Sequence, residues 1–387
     1  MLLPLTRRTP QPHDLPFMRP IESIKAESPN LVAKYAKRSD ARAAIQILNT
    51  CIPFLILFYL ALESLAVSGV LAAFFIFLAA LFILRIFVMM HDCGHGSLFQ
   101  TQALNRFFGF VTGVLCGMPQ YVWAQHHNYH HATNGNWSKY TGPLGTISVE
   151  VFAKLSPMHQ KKYEYTRNIF FSLPGAFMYF IFNPRVNWAL GSVKFVIHLI
   201  RAQVRRPGTS VMASAREFAS PHWNTGREYW HMFGNNVALL GIWWAACAHF
   251  GAAEFFTVYL ISLILGGAAG IIIFTIQHNF ESSYASDDAH WNYHQANVEG
   301  TSYLTLPRIV NWFSADIAYH HIHHLSARIP NYRLAACHRE YAHLFGAVRR
   351  IRLRDIPRSF KCILWDSDNR RIISVAQFHH MQVPARV

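Results

Sequence analysis

Four stretches of the chain are long and apolar enough to cross a bilayer, which takes roughly 20 apolar residues per helix. They cover residues 45–66, 70–90, 236–250 and 255–276. A short turn around Ser68 and Gly69 joins the first two, and a second turn, over 251–254, joins the last two. The pattern therefore predicts two helical hairpins. The third stretch is the shortest, and Asn235 and Asn236 mark its start. Between the hairpins lie two weaker apolar runs. Residues 107–123 are glycine-rich and contain Pro119, which predicts a re-entrant or interfacial helical hairpin. Residues 169–182 are interrupted by Pro174 and predict an interfacial helix, and 205–227 reads as a polar loop.

Composition agrees with a membrane protein. The 387 residues are 52% hydrophobic and only 14% charged, against about 25% charged in an ordinary soluble domain. The six cysteines form no C-x-x-C pair, which excludes a zinc ribbon and a disulfide framework and fits a reducing compartment. The first residues carry too short an apolar stretch, placed before Arg7 and Arg8, to be a secretory signal. A net charge of +15 would fit nucleic-acid binding, but the basic residues follow topology instead. Neither hairpin turn holds a lysine or arginine, and within the four stretches Arg85 is the one basic residue. By the positive-inside rule the turns face outward and the other segments lie in the cytoplasm. Five segments result: a cytoplasmic N-terminal segment (1–44), a first hairpin (45–90), a cytoplasmic or interfacial segment (91–235), a second hairpin (236–276) and a cytoplasmic cap (277–387). Both termini are then cytoplasmic. The tail from Arg349 to Lys361 is strongly basic and reads either as a strip against anionic headgroups or as a solvated part of the cap.

The chemistry is carried by histidine. Three clusters stand far apart in sequence: His91-Asp-Cys-Gly-His95, His127-Asn-Tyr-His130-His131, and His320-His321-Ile-His323-His324. Spacings of three and four place side chains on one face of a helix. The topology puts every cluster at the same membrane face, together with His278 at the end of the fourth stretch. Imidazole suits iron, copper and zinc. Eight box histidines exceed the need of one ion and argue for two, with His278 as a ninth candidate. A zinc hydrolase uses three protein ligands and an open position, and a haem pair needs few histidines; two irons that activate O2 fit better. Asp92, Glu281 and Asp316 are candidate hydrogen-bond partners for the ligating imidazoles, Asp316 because it stands four residues before His320. His126 and His321 point elsewhere on the same helical geometry, and Arg85 is assigned no chemistry.

In its wording the chain resembles the membrane-bound fatty acid desaturases. The residues that carry the likeness are His91-Asp-Cys-Gly-His95-Gly-Ser-Leu-Phe, His126-His-Asn-Tyr-His-His131, and Tyr319-His-His-Ile-His-His-Leu325 followed by Pro330-Asn-Tyr-Arg-Leu. It is most similar to bacterial and cyanobacterial acyl-lipid enzymes of the delta-12 (omega-6) kind, with delta-9 choice also open.

The resemblance implies an all-α integral membrane protein, four transmembrane helices forming a stem and a cytoplasmic helical cap holding a di-iron site. It implies His91, His95, His127, His130, His131, His320, His323 and His324 as iron ligands, completed by His278. Some relatives also use an asparagine acting through water; the resemblance does not place it in this sequence, and Asn279 is one candidate. The implied cofactors are two Fe2+ ions with O2 as co-substrate, and the substrate is a membrane-lipid acyl chain in a bacterial inner membrane. The chain has no His-Pro-Gly-Gly haem motif, no cysteine cluster for iron–sulfur and no glycine-rich dinucleotide loop. Electrons must come from a separate carrier, a ferredoxin, rubredoxin-like or cytochrome b5-like protein. Trp123, Trp137 and Trp312 are candidates either for the wall of a bent apolar tunnel or for an interfacial belt. The neighbouring reaction on such a scaffold is hydroxylation of fatty acids, alkanes or carotenoids.

Overall fold

A computed structural model describes residues 18–382. The expected cytoplasmic ends of the chain, and the reading of its first residues, lie outside that range. Among the described residues three helices are long and apolar enough to cross a membrane: α2 (Asp40–Leu65), α3 (Gly69–Gly94), and a later one, Ala252–His278. Ser39 and Ser68 start the first two, each accepting a hydrogen bond from a backbone N–H three residues on. Between them lies the turn expected from the sequence, so the first hairpin forms as predicted.

The central segment begins with α4 (Gln102–Leu115) and α5 (Gln120–Thr133), which meet at a bend of 103°. The break needs Gly117, whose φ is +73°, and Pro119, which starts α5. This is the helical hairpin expected near 107–123. Residues 169–182 form one 3-10 turn, a short helix around Pro174 and a wide turn, and run directly into α6 (Asn183–Arg205). The expected loop over 205–227 is interrupted by the short helix Val211–Arg216.

The third predicted span requires correction. Residues 236–250 belong to a longer helix, α7 (Gly226–Phe250), which is not apolar enough to count with the three spans. Its first turns carry Arg227, Glu228, Asn235 and Asn236. Asn235 is buried, accepting from Arg185 and donating to the Met118 carbonyl at 3.1 Å, so the polar start of α7 is a packing surface. Gly251, with φ of +92°, turns the chain into α8 (Ala252–His278). The α7–α8 hairpin exists, but its first arm is polar at the base.

Close packing of α8 on α3 sets the depth of the site. A side chain at Gly266 would strike the Ala80 carbonyl and Ile83. The two helices therefore approach backbone to backbone, and each carries histidine at its last turns, His91 on α3 and His278 on α8.

The part beyond the spans is mostly helical, but not wholly so. Short helices α9 (His320–Leu325) and α10 (Asn331–Glu340) pack with α1 (Met18–Tyr35) through Ile24, Leu31, Ile322, Leu325 and Leu334. Five short strands accompany them, which the all-α expectation did not include. β2 (Ser302–Thr305) pairs parallel with β3 (Arg349–Arg352). β1 (Ile147–Ser148), β4 (Cys362–Asp366) and β5 (Arg371–Ser374) form a second sheet in the order β1-β4-β5. The basic tail is thus folded: Ile351, Ile363, Leu364, Ile372 and Ile373 are buried while Arg349, Arg350 and Arg352 stay exposed. In β3, buried Ile351 between exposed Arg350 and Arg352 is the strand period hidden inside a run of positive charge.

Candidate metal centre

α3, α5, α8 and α9 bring all nine singled-out histidines together in two groups. His91, His95, His127, His131 and His323 form one, and His130, His278, His320 and His324 form the other; within each, the potential ligand atoms lie within 4.8 Å of one another. In all three boxes the i, i+4 pair enters the same group: His91 with His95, His127 with His131, His320 with His324. The i+3 residue of each H-x2-HH box, His130 or His323, goes to the opposite group. A helix turns about 100° per residue, so i+4 stands almost over i while i+3 leans to the other side. Each of α5 and α9 therefore serves both groups. The rings of His131 and His324 stack at 4.1 Å across the boundary.

Convergence of ring nitrogens is close. His131 Nε2 lies 3.1 Å from His127 Nε2 and 3.0 Å from His323 Nε2. His278 Nε2 lies 3.2 Å from His130 Nε2 and 2.9 Å from His320 Nε2. Neutral imidazole offers one lone pair and one N–H, so several lone pairs aimed at one point want a shared cation. His95 Nε2 and both ring nitrogens of His324 are buried with no hydrogen-bond partner, an arrangement that is costly unless something fills it. Burial first, and then neighbouring imidazoles, hold His320, His323 and His324 well below the ordinary histidine range. They are therefore neutral at pH 7, the form that ligates. The donor set fits a first-row transition metal in each group.

Two rings are oriented by their other nitrogen. His91 Nδ1 meets Asp92 Oδ1 at 2.8 Å, and the second oxygen of Asp92 accepts the Asn331 N–H at 2.9 Å. His278 Nδ1 faces the Gly300 carbonyl at 3.3 Å. Asp92 thereby ties the end of α3 to the start of α10, behind the third box. Asp92→Asn is expected to lower metal affinity by about 10- to 100-fold, the usual cost of losing such a partner; metal titration of the apoprotein measures it.

The other two carboxylates stand elsewhere. α9 begins only at His320, and Asp316 has a φ of +59°, so it is not on the helical face of the third box. It accepts from Asn311. Glu281 accepts from Arg358 at 2.7 Å and Gln377 at 3.0 Å, bracing the tail rather than His278. Asn279 donates to Thr146 Oγ1 and to the Cys362 carbonyl, also away from the histidines. His321 meets His338 at 3.1 Å, and His126 is exposed.

A cavity of about 500 Å3 runs alongside both groups, touching His91, His127, His130 and His320. Its walls are mostly apolar, with Leu84, Phe87, Phe180, Ile271 and Phe274 among them, and Arg167 and Asn168 stand on its lining as polar residues. Trp123 forms part of the wall, stacked on His127 at 4.4 Å and donating to the Tyr179 hydroxyl at 2.9 Å. Trp137 is buried under β4 and β5, and Trp312 carries Arg85 over its ring at 3.9 Å, so neither lines this cavity.

A sequence model of the family described as fatty acid desaturase matches residues 68–354. The chain belongs to the fatty acid desaturase family. A "Fatty acid desaturase" of Bacillus subtilis is 34% identical over 353 residues, 91% of each chain. An "sn-1 oleoyl-lipid 12-desaturase" of Anabaena variabilis is 25% identical over 64% of this chain and 62% of its own. An "sn-1 acyl-lipid omega-3 desaturase (ferredoxin)" of Synechocystis is 23% identical over 64% and 61%. This desaturase is thus an oxidoreductase of the membrane, with histidine groups able to bind metal.

Depressed histidine pKa values fix the sign of its acid response. The unfolded chain takes up protons below about pH 6.5 that the folded protein refuses, so stability rises with pH through that window and falls as pH drops below it. Thermal unfolding in detergent is expected at lower temperature at pH 5 than at pH 7.

Proposed function

We propose that this desaturase holds two irons, one in each histidine group, and uses O2 to place a double bond in a lipid-linked acyl chain. The observation that carries the reading is the cavity: a mostly apolar space of about 500 Å3 touches histidines of both groups, and its volume lies in the range of ligand pockets, roughly 300–1,000 Å3. A methylene carries no acidic proton, so side-chain acid–base chemistry cannot break its C–H bond. The bound irons supply the O2 activation. The overall change removes two hydrogens from adjacent carbons and, with two further electrons and two protons, reduces O2 to two waters.

This chain's own residues position and shield. Phe274, Trp123 and Phe87 exclude water around the histidines. Asp92 and the Gly300 carbonyl hold His91 and His278 with Nε2 inward. Because a saturated chain is featureless, the distance from a fixed end to the irons selects the carbon. The delta-12 (omega-6) position is favoured by the wording of the boxes and supported by the names of relatives. The ligand assignment covers all nine histidines, with the boxes and both ends of the chain at the cytoplasmic face of a bacterial inner membrane. Electrons arrive from an external carrier, a ferredoxin among the candidates, as one relative's name indicates.

The test is product analysis in a host that supplies oleoyl lipids and a ferredoxin system. Wild type should yield a new diene, located by derivatised mass spectrometry, and His131→Ala none. A hydroxylated acid instead would assign the chain to oxygen insertion.

Cavity depth gives a second expectation. Gly270 lines the cavity on α8, eight residues before His278, about 12 Å along the helix. A side chain there would meet Leu84 and Phe87 at ordinary contact distance, so Gly270→Leu should fold. It should shorten the space beyond the irons and shift products toward shorter acyl chains; an unchanged chain-length profile would place the substrate elsewhere.

A further inference from the structure

We infer that α6, with Arg206 and Phe218 beside it, forms a second lipid site, separate from the histidine centre, which grips the phosphate headgroup of an anionic phospholipid. α6 has three faces. Gly191 and Ala202 are buried, Gly191 lying under Trp223. Val193, Val196, Ile197, Ile200 and Val204 recur every one to four residues as a stripe, and all five are exposed. Lys194, His198, Arg201 and Arg205 recur at intervals of four, three and four, forming a basic stripe beside the apolar one.

The basic stripe is not neutralised by the fold. Residues 183–216 contain six arginines and lysines and no acidic residue. Arg206 pairs with Glu217, and among the described residues Arg201 and Arg205 have no carboxylate partner. Lys194, His198, Arg201, Arg205, Arg206 and Phe218 enclose a hollow of about 670 Å3. Ile197, Ala202 and Phe218 also line it, so the hollow combines positive charge with apolar surface. An exposed apolar stripe flanked by two arginines that have no carboxylate partner is the build of a helix lying in the membrane interface, its apolar face in the acyl region and its charges at the phosphates. A soluble acidic partner would match the charges but leave the valine and isoleucine stripe uncovered. The adjoining exposed Leu173, Met178 and Phe182 extend the apolar surface toward the spans.

The experiment compares full-length protein in nanodiscs of phosphatidylcholine alone and of phosphatidylcholine with phosphatidylglycerol. Backbone amides of 193–206 should exchange with deuterium about tenfold more slowly in the anionic discs. Lys194→Gln/Arg201→Gln/Arg205→Gln should lose that difference. It should also lower apparent affinity for phosphatidylglycerol, read by native mass spectrometry, by about a hundredfold, each basic group being worth about fivefold. Its metal content should equal wild type, which reports that the fold is intact. Equal exchange in both discs, for the wild type, overturns the proposal without any variant. So does equal protection by inorganic phosphate in phosphatidylcholine discs, which would make the hollow a free-anion site. Protection that follows dimer formation, or that needs an added acidic electron carrier, would assign the face to a second copy or to a protein and overturn it as well.

Discussion

His278→Ala and His323→Ala should each abolish desaturation while removing different metal ions. The two residues sit in different groups, His278 with His130, His320 and His324, and His323 with His91, His95, His127 and His131. Loss of a mere orienting partner costs about 10- to 100-fold, so loss of a ligand should cost at least about a hundredfold in activity. Metal content should fall from two ions per chain toward one in both variants. The double variant should then bind close to none. If one replacement emptied both groups, the centre would be a single cooperative unit; if neither changed the metal content, the nine histidines would not be the ligands. His380→Ala is the control, because His380 is exposed, belongs to neither group and does not line the cavity.

Arg85→Met is the second large effect, and it acts through stability. Arg85 is buried within α3, donating to Thr50 Oγ1 at 2.9 Å on α2 and to the Trp312 carbonyl, with its guanidinium over the Trp312 ring. Asp316, half-buried nearby, has its carboxyl raised by burial, and the charge of Arg85 opposes that rise. One side chain thus joins two spans to the segment that delivers His320. Methionine keeps the bulk and removes every one of these bonds. Hydrogen bonds from a charged group are worth about 1.5–3 kcal/mol, and breaking a buried charged arrangement one-sidedly costs about 3–5 kcal/mol. Arg85→Met should lower the thermal unfolding temperature by several degrees and reduce activity with it. Activity lost at unchanged thermal stability would mean that Arg85 serves the chemistry directly.

Much of this was legible in the sequence because the signals were periodic. The first hairpin, α8 and the bend between α4 and α5 follow from apolar runs, the glycine-rich stretch 107–123 and its Pro119. The nine histidines follow from helical spacing joined to topology, which says that separate boxes share one face. Division into two groups was not legible, since three and four residues both read as one face until neighbouring helices decide which side each ring meets. Asp316 misled because spacing was counted through a segment whose backbone is not helical. The strands of the tail were masked by arginine, whose long side chain lets a strand alternate buried isoleucine with exposed charge. Arg85 was visible as a costly charge in an apolar helix, but its partners, Thr50 and Trp312, lie 35 and 227 residues away and only packing brings them together.

Iron K-edge absorption with metal counting on the purified full-length protein bears most directly on the two-metal centre. The predicted result is about two irons per chain in a shell dominated by imidazole nitrogen, with one iron lost on His278→Ala. A single zinc per chain, or iron bound mainly by carboxylate, would contradict it.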